Sequence, residues 1–203
     1  PTVAPDDNAQ RFRPAVTQYS RGKHILCFET DDLSIRECVA SDLDRLHTIM
    51  SDPASISRTS FKPHTSKAET RALLAQWLTG YEKGHTVPWG IALKKNNTLI
   101  GAGGFTAWYP DGNRCVISYT LDAAYDRSNY GPQLIQGLIE FGFKKLELQR
   151  IETYVRVDDA VGKAWAEKAG MSCEGLQREY RKVGDHFVSY YFYSLLKKDI
   201  RPL

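Results

Sequence analysis

Apolar residues recur at the spacing of an α-helix in four stretches of the chain. Residues 41–50, 65–81 and 133–145 place apolar side chains three or four positions apart, which predicts amphipathic helices that turn one face toward a core. Residues 158–169 predict a shorter helix, because Gly170 follows them as a stop signal. These four segments are the helices that the pattern predicts.

β-Branched and aromatic residues are concentrated between and after the predicted helices. They predict strands over residues 33–38, 89–94, 98–105, 115–121, 149–156, 174–180 and 190–196. Asn96-Asn97 and Gly184-Asp185 are predicted as turns between neighbouring strands. No helix pattern follows the glycines of residues 101–104, so we interpret them as a site of close packing and not as a nucleotide-binding loop.

The composition is that of a globular protein with one domain. Hydrophobic residues make up 42% of the 203 residues and charged residues 25%. The formal net charge of +3 is not gathered into a basic stripe, so dedicated nucleic-acid binding is not expected. No apolar stretch approaches the roughly 20 residues that span a bilayer, and the first residues lack the features of a signal peptide. We therefore expect no membrane segment and a cytoplasmic protein.

The cysteines show no pattern of a metal site or of a disulfide framework. They lie far apart in the sequence, with no C-x-x-C pair and no histidine at ligand spacing: Cys27, Cys38, Cys115 and Cys173. We expect buried or half-buried free thiols and no bound metal.

A polar turn connects the predicted strand that ends at Leu121 to the long helix at residues 133–145. Asn129 and Gly131 tolerate positive φ, and Pro132 suits the first turn of a helix. The free N–H groups and the dipole of a helix N-terminus attract anions, so this turn is predicted to hold a pyrophosphate. An ordinary strand–turn–helix junction without a ligand is the alternative. The predicted anion site consists of Asp126, Arg127, Ser128, Asn129, Tyr130, Gly131 and Pro132.

The order of these elements and four short sequences resemble the GNAT superfamily of acyl-CoA-dependent N-acetyltransferases. The sequences are RIE at residues 150–152, EKAGM at 167–171, EGLQREY at 174–180 and YSLL at 193–196. Within the superfamily the chain looks most like the Rim-type branch. That branch includes enzymes that acetylate the N-termini of ribosomal proteins, together with many small-molecule acetyltransferases.

The resemblance covers residues 33–196 and implies an α+β (α/β) fold. The expected GNAT fold has a central, mixed, mostly antiparallel twisted sheet of about seven strands with a splayed parallel pair, flanked by helices. Residues 31–203 are assigned to this acetyltransferase domain. Residues 1–30 are assigned to an N-terminal arm, because their first part is polar and has no clear period. Residues 52–64 are expected to cover the acceptor side.

The resemblance also implies where acetyl-CoA binds. In the family, pantetheine lies between the two splayed strands, and a strand N–H polarises the thioester carbonyl. The strands that correspond here end near residue 121 and run over residues 151–157. The residues assigned to cofactor binding are the turn above together with Leu121, Asp122, Asp159 and Lys163. The implied partners are acetyl-CoA and an amine acceptor, and the protein is expected to be a monomer or a homodimer.

The chain departs from the family pattern at several positions. Asp126 stands where the family turn has Gln or Arg, which would place a negative charge near the pyrophosphate unless Arg127 compensates for it. Asp159 and Gly162 stand where some Rim-type enzymes carry Asn and Ser, so the hydroxyl proposed to protonate the leaving thiolate is absent. Val116 occupies the position of a carboxylate that is often proposed as the base.

Tyr119 and Glu152 are the candidate catalytic residues that remain near the implied thioester, and His85 is a third. A structural role is the alternative for each of them. Glu152 would then pair with Arg150 or another cation, Tyr119 would be a core aromatic, and His85 would be a loop residue.

A site without a strong base favours an acceptor that loses its proton easily. A lysine amine, with a pKa of about 10.4, needs roughly 4 kcal/mol to become neutral near pH 7.5, whereas an α-amine with a pKa of about 7.7–8.0 needs less than about 1 kcal/mol. We therefore expect transfer of an acetyl group to a protein or peptide N-terminal amine by direct attack. Two alternatives stay open, a small-molecule amine such as an antibiotic or a polyamine, and a catalytically silent CoA-binding regulatory module.

Overall fold

A computed structural model of the chain describes residues 26–57, 59, 61–83, 88–125 and 128–200. Within these ranges the chain forms one sheet with helices on both faces. The strands are β1 Leu26–Glu29, β2 Leu33–Arg36, β3 Trp89–Leu93, β4 Leu99–Tyr109, β5 Arg114–Leu121, β6 Arg150–Arg156, β7 Ser172–Val183 and β8 His186–Leu196. The α-helices are α1 Leu43–Ser51, α2 Pro53–Ile56, α3 Lys67–Lys83, α4 Tyr130–Lys144 and α5 Ala160–Lys168.

The sheet is mixed and mostly antiparallel, which confirms the predicted fold class. Its strand order is β1-β2-β3-β4-β5-β6-β8-β7, and β5 and β6 are the parallel neighbours among the described strands. The described sheet has eight strands, one more than predicted. The helix bounds differ from the predicted ones by no more than about three residues, which is the usual uncertainty at helix ends.

β1 is the strand that the sequence analysis missed. It lies within residues 1–30, the segment assigned to an arm, so the sheet begins before the predicted domain boundary. Four residues are too few to show a period of two. β1 is placed by distant contacts instead, since the ring of Phe28 stacks on Phe141 at 5.3 Å and Thr30 Oγ1 donates to Gln133 Oε1 at 3.0 Å.

The local signals for turns and close packing are confirmed. Asn97, Gly170 and Gly184 have φ angles of +56°, +82° and +61° and end the elements that they were predicted to end. A Cβ on Gly101 would lie 2.3 Å from the Thr120 carbonyl oxygen, so β4 and β5 pack too closely there for any side chain. Helix α1 begins at Leu43, after a 3₁₀ turn at Ala40–Asp42 in which the Asp42 carboxylate accepts from Val39 N at 2.8 Å.

The two faces of the sheet carry separate cores. On one face, which we call the α4 face, α4 and α5 pack their apolar stripes on the central strands, with Leu134 and Leu138 fully buried. On the opposite face, the α1 face, helices α1 and α3 pack on β4 through residues such as Leu46 and Leu74. Successive residues of a strand point to opposite faces, so the residue number decides which face a side chain reaches.

Three cysteines are free thiols, as predicted: Cys38, Cys115 and Cys173. Cys38 and Cys115 are buried, whereas Cys173 is exposed. The expectation of buried or half-buried thiols is therefore wrong for Cys173. It lies on β7, which is an edge strand of the described sheet and is exposed along most of its length.

An ion pair connects β7 to β6 and makes the stability of the fold depend on pH. Glu174 accepts from Arg150 Nη1 at 2.8 Å and from Ser194 Oγ at 2.6 Å, and these bonds lower the pKa of the Glu174 carboxyl from 4.5 to about 2. Because the folded pKa lies below the unfolded one, the stabilisation is complete above about pH 4.5 and is lost as the pH falls toward about 2. In Glu174→Gln, the unfolding midpoint should therefore fall less steeply than in the wild-type protein as the pH decreases from about 4.5 toward 2.

The measurement is the urea midpoint of both proteins between pH 2.5 and 6. The two midpoints should differ at pH 6 and converge toward the acid end. Glu140→Gln, on the exposed face of α4, controls for the loss of one negative charge. A constant gap between wild type and Glu174→Gln across the range would contradict the prediction.

Candidate active site

The parallel pair β5–β6 opens partway along its length. The ladder joins Arg114 to Arg150 and ends with Val116 opposite Glu152. One side-chain bond follows, from Thr153 Oγ1 to the Ile117 carbonyl at 3.1 Å. Within the described residues no further ladder pair joins the two strands, although both continue. Their facing backbone groups can therefore pair with an extended ligand that enters the opening.

The end of β5 at this opening is held rigidly. Asp122 donates its backbone N–H to the Ile100 carbonyl at 2.8 Å, and its carboxylate accepts from Arg45 Nη2 at 2.7 Å. The side chain of Leu121 is buried in the core. Leu121 and Asp122 were both predicted to bind the cofactor. Leu121 offers only its backbone, and Asp122 offers a carboxylate that is already paired with Arg45.

Helix α4 begins next to the same opening. Its first residue is Tyr130, and Pro132 lies in its first turn as predicted. Ser128 Oγ accepts from Tyr130 N at 3.3 Å, which orders the residues before the helix. Asp126 and Arg127 lie outside the described residues. The turn thus places a helix N-terminus beside the open strands, with N–H groups of the first turn unpaired within the helix.

The reason given for Asn129 and Gly131 is wrong, because neither has a positive φ: Asn129 has a φ of −82°, and Gly131 lies in the helix. Position 131 requires glycine for a different reason, because there is no room for a side chain. A Cβ on it would lie 2.2 Å from Cζ3 of Trp165, whose ring covers the start of α4. Trp165 also stacks on Tyr119, with ring centroids 6.1 Å apart. Tyr119 is therefore part of an aromatic contact on the α4 face.

The start of α5 explains two departures from the family pattern. Asp159 caps the helix by accepting from Gly162 N at 2.9 Å. A Cβ on Gly162 would lie 2.3 Å from Oδ2 of Asp159, so a serine at this position would push the capping carboxylate away. Asp159 and Gly162 therefore form a matched pair. Lys163 extends along the helix surface, with Nζ 4.0 Å from Glu167 Oε1.

Glu152 lies on the α1 face and is only 3% exposed. Its Oε1 accepts from Arg150 Nε at 2.6 Å and its Oε2 from Arg114 Nη1 at 2.7 Å. Since both oxygens bind guanidinium groups, this carboxylate has no free oxygen with which to take a proton from an acceptor. Tyr119 points to the opposite face, so the structure does not bring the two candidate catalytic residues together. His85 lies outside the described residues.

Helix α2 closes the opening on the α1 face, and the sequence analysis did not identify its contacts. Ser55 Oγ accepts from Ala123 N, just after β5, at 2.9 Å. The carbonyl of Ser57 accepts from Arg156 Nη1, at the end of β6, at 2.5 Å. The helix thus holds both open strands. A signal was present in the sequence, because Asp52 followed by Pro53 is a typical helix start, with the Asp52 carboxylate accepting from Ala54 N and Ser55 N.

A cavity of about 750 Å³ lies along α4 on its outer side. Asn129, Pro132 and Gln133 from the start of the helix line it, as does Trp165. Its described lining also includes the lysines Lys94, Lys144, Lys145 and Lys168 and the acidic residues Glu29, Asp31 and Glu140. Glu29 pairs with Lys94, and Glu140 pairs with Lys144. The cavity therefore continues from the helix N-terminus into a region of mixed charge.

Among the described residues, no group of three or more His, Cys, Asp or Glu side chains is arranged to hold a metal ion. No described helix is long and apolar enough to cross a membrane.

Known proteins share both the sequence pattern and the fold. Residues 32–172 match the family described as the acetyltransferase (GNAT) domain. The uncharacterized N-acetyltransferase p20 of Bacillus licheniformis is 26% identical over 170 residues, which cover 84% of this chain and 96% of that protein.

Solved structures of acetyltransferases share the fold of this chain. An acetyltransferase of the GNAT family from Bacillus anthracis superposes with a TM-score of 0.73 at 20% identity, covering 84% of this chain and 98% of that one. RimL, the ribosomal L7/L12 alpha-N-protein acetyltransferase, solved in complex with coenzyme A, superposes with a TM-score of 0.73 at 21% identity, covering 86% and 98%. The resemblance to the Rim-type branch is thus confirmed at the level of the fold. The chain belongs to the acetyltransferase (GNAT) domain family of acyltransferases.

Proposed function

We propose that this protein transfers an acetyl group from acetyl-CoA to the α-amine of a protein or peptide N-terminus. The observation that carries the proposal is the opening between β5 and β6 beyond the pair Val116–Glu152, directly beside the start of α4. An extended, polar chain that ends in a pyrophosphate fits these two features together. We further propose that the reaction takes place in the cytoplasm.

The backbone supplies most of the groups that this ligand needs. Pantetheine amides would pair with the facing edges of β5 and β6, and the pyrophosphate would lie at the N-terminus of α4. Gln133 and Trp165 line the neighbouring cavity, which offers room for the nucleotide part. The coenzyme A complex of RimL, which shares this fold, supports the assignment.

The chemistry proposed is direct attack of a neutral amine on the thioester. The nitrogen lone pair forms a bond to the carbonyl carbon while a strand N–H stabilises the negative charge on the oxygen. The carbon–sulfur bond then breaks, the coenzyme leaves as a thiolate that takes up a proton, and the nitrogen releases its proton to water. Neither Glu152, whose oxygens are both paired, nor Val116 provides a base.

The absence of a base at these two positions favours an α-amine over lysine. Deprotonating a lysine costs roughly 3 kcal/mol more than deprotonating an α-amine near neutral pH, which corresponds to a rate difference of about two orders of magnitude if nothing in the site compensates. Acceptors with weakly basic amines should therefore react fastest.

We expect the purified protein to bind acetyl-CoA in a calorimetric titration and to release coenzyme A thiol in the presence of short peptides with free N-termini. The matched acceptors are the same peptides with a blocked N-terminus and one internal lysine. Turnover of the free N-termini only would support the proposal. Turnover of the lysine peptides or of polyamines alone would overturn the choice of acceptor, and binding without any turnover would favour the regulatory module.

A further inference from the structure

Two exposed hydroxyl groups lie side by side in the middle of the sheet. Ser118 Oγ on β5 donates to Thr106 Oγ1 on β4 at 3.2 Å. Both residues are exposed, although β4 and β5 are central strands whose side chains are mostly buried. The sheet is therefore uncovered at this point, and a ligand can reach both hydroxyls from solvent.

Ser118 lies just beyond the point where β5 and β6 separate. The ladder between these strands ends with Val116 opposite Glu152, and Ser118 is two residues further along β5. Its neighbour Ile117 belongs to the core of the α4 face, so Ser118 points to the α1 face. Helix α2 contacts this face further along, at Ala123. The helices proposed to hold the coenzyme pack on the other face, so an acceptor reaches the opening on the side of Ser118.

A bulge in β4 brings Thr106 to Ser118. In the ladder, Ser118 pairs with Gly104, which has no side chain and a φ of +142°. The pairing then shifts between Phe105 and Ala107, so Thr106 is the extra residue of the bulge. A bulge re-aims a side chain and is common next to active sites. The distortion of β4 therefore gives Ser118 a hydroxyl partner that Gly104 cannot provide.

The direction of these hydrogen bonds makes Ser118 an acceptor toward the opening. Thr106 Oγ1 lies 3.4 Å from the carbonyl oxygen of Val116, and because a carbonyl only accepts, the threonine hydroxyl is the donor. The oxygen of Thr106 then accepts the proton of the Ser118 hydroxyl. Among the described residues, no donor uses the lone pairs of Ser118 Oγ. Those lone pairs therefore remain for an N–H group of a ligand.

We propose that Ser118 Oγ binds the reacting amine by accepting one of its N–H groups, and that Thr106 is a positioning residue that orients Ser118. The inference rests on the proposed function, because it requires a thioester in the opening and an amine that attacks it. As the nitrogen lone pair forms the bond to the carbonyl carbon, the nitrogen gains positive charge, which strengthens its hydrogen bond to Ser118. Ser118 takes no proton itself. The nitrogen releases its proton to water, and the coenzyme leaves as a thiolate that takes up a proton.

The test is thiol release from acetyl-CoA with the peptide that reacts fastest in the assay described above. Ser118→Ala should lower kcat/KM at least about tenfold, mainly through kcat, because the bond is strongest in the transition state. Ser118→Thr keeps the hydroxyl and should recover most of the lost rate. Ser172→Ala removes an exposed serine hydroxyl from β7, away from the opening, and is the matched control that should keep the wild-type kcat/KM.

Thr106→Val tests whether the threonine acts through Ser118. It removes the group that accepts the proton of the Ser118 hydroxyl, so it should lower kcat/KM severalfold in the wild-type protein. In Ser118→Ala the same substitution should have no further effect, because the group that it orients is already absent. Additive losses in the double variant would contradict this role of Thr106.

Two measurements that do not depend on turnover separate this role from a structural one. Ser118→Ala should keep the wild-type affinity for acetyl-CoA in a calorimetric titration and the wild-type melting temperature, since an exposed hydroxyl supports neither the coenzyme nor the core. A loss of coenzyme affinity or a drop of several degrees would overturn the inference. Wild-type kcat/KM in Ser118→Ala would overturn it too while leaving the proposed function intact. No thiol release by the wild-type protein with any acceptor would overturn both.

Discussion

Replacing Asp42 with alanine should lower the free energy of unfolding by about 3–5 kcal/mol, which is the usual cost of leaving one member of a buried ion pair without its partner. Asp42 accepts from Arg36 Nη1 at 2.8 Å and from Arg36 Nη2 at 2.9 Å, and both side chains are only 8% exposed. The hydrogen bonds to Asp42 raise the pKa of the Arg36 guanidinium in the wild-type protein. An arginine that loses such a partner still keeps its proton near neutral pH, so the cation cannot escape the penalty by becoming neutral.

The position of this pair explains why the effect should be large. Arg36 ends β2, and Asp42 lies in the turn that leads into α1, so the pair fastens the first helix of the α1 face to the sheet. Arg36 Nε also donates to Asn97 Oδ1 at 2.9 Å, which adds the β3–β4 turn to the network. Without Asp42, a buried guanidinium would keep only part of its hydrogen bonds.

Chemical denaturation of Asp42→Ala gives the magnitude directly. Asp44→Ala is the matched control, because Asp44 forms an exposed pair with Lys67 only two residues further along the chain. Exposed pairs add little to stability, so the control should unfold with the wild-type midpoint. Asp42→Asn keeps one acceptor oxygen and should fall between the two. If Asp42→Ala unfolded within about 1 kcal/mol of wild type, the buried pair would not hold α1 to the sheet.

The elements with a clear period were predictable, and those placed by contacts far apart in the sequence were not. The stripe of α4 and the alternation of the long strands appear in the residues themselves. β1 does not, because a four-residue strand is set by its contacts with Phe141 and Gln133, more than 100 positions away. Helix α2 was not predicted either, although Asp52 and Pro53 are a local signal for its start. Its contacts with Ala123 and Arg156, at the ends of two different strands, could not be predicted from the sequence.

In the candidate site, too, local features were predictable from the sequence, whereas features that depend on distant contacts were not. The turn before α4 could be located from its residue types, but the reason for Gly131 could not, because it depends on the ring of Trp165, 34 positions later. Glu152 was a plausible base from its place on β6. Its pairing with Arg150 was considered, whereas the second partner, Arg114, belongs to the neighbouring parallel strand and becomes visible only with the register.

Gly131→Val should weaken acetyl-CoA binding at least about tenfold and destabilise the fold by about 1–3 kcal/mol, the usual range for overpacking. The new Cβ would lie 2.2–2.4 Å from three ring carbons of Trp165. Either the ring must leave its stack on Tyr119 or the first turn of α4 must tilt. A tilt would move the N–H groups proposed to hold the pyrophosphate away from the open strands.

A second substitution can relieve the clash, because the nearest atoms to the new Cβ all belong to Trp165. In Gly131→Ala combined with Trp165→Leu, the smaller side chain makes room for the Cβ, so both stability and affinity should recover relative to Gly131→Ala alone. Ala164→Val, on the exposed face of α5, controls for adding a β-branched residue to a helix. Calorimetric titration with acetyl-CoA below the unfolding temperature gives the affinities. Wild-type affinity in folded Gly131→Val would contradict the prediction that a tilt of the first turn of α4 weakens the binding of the coenzyme.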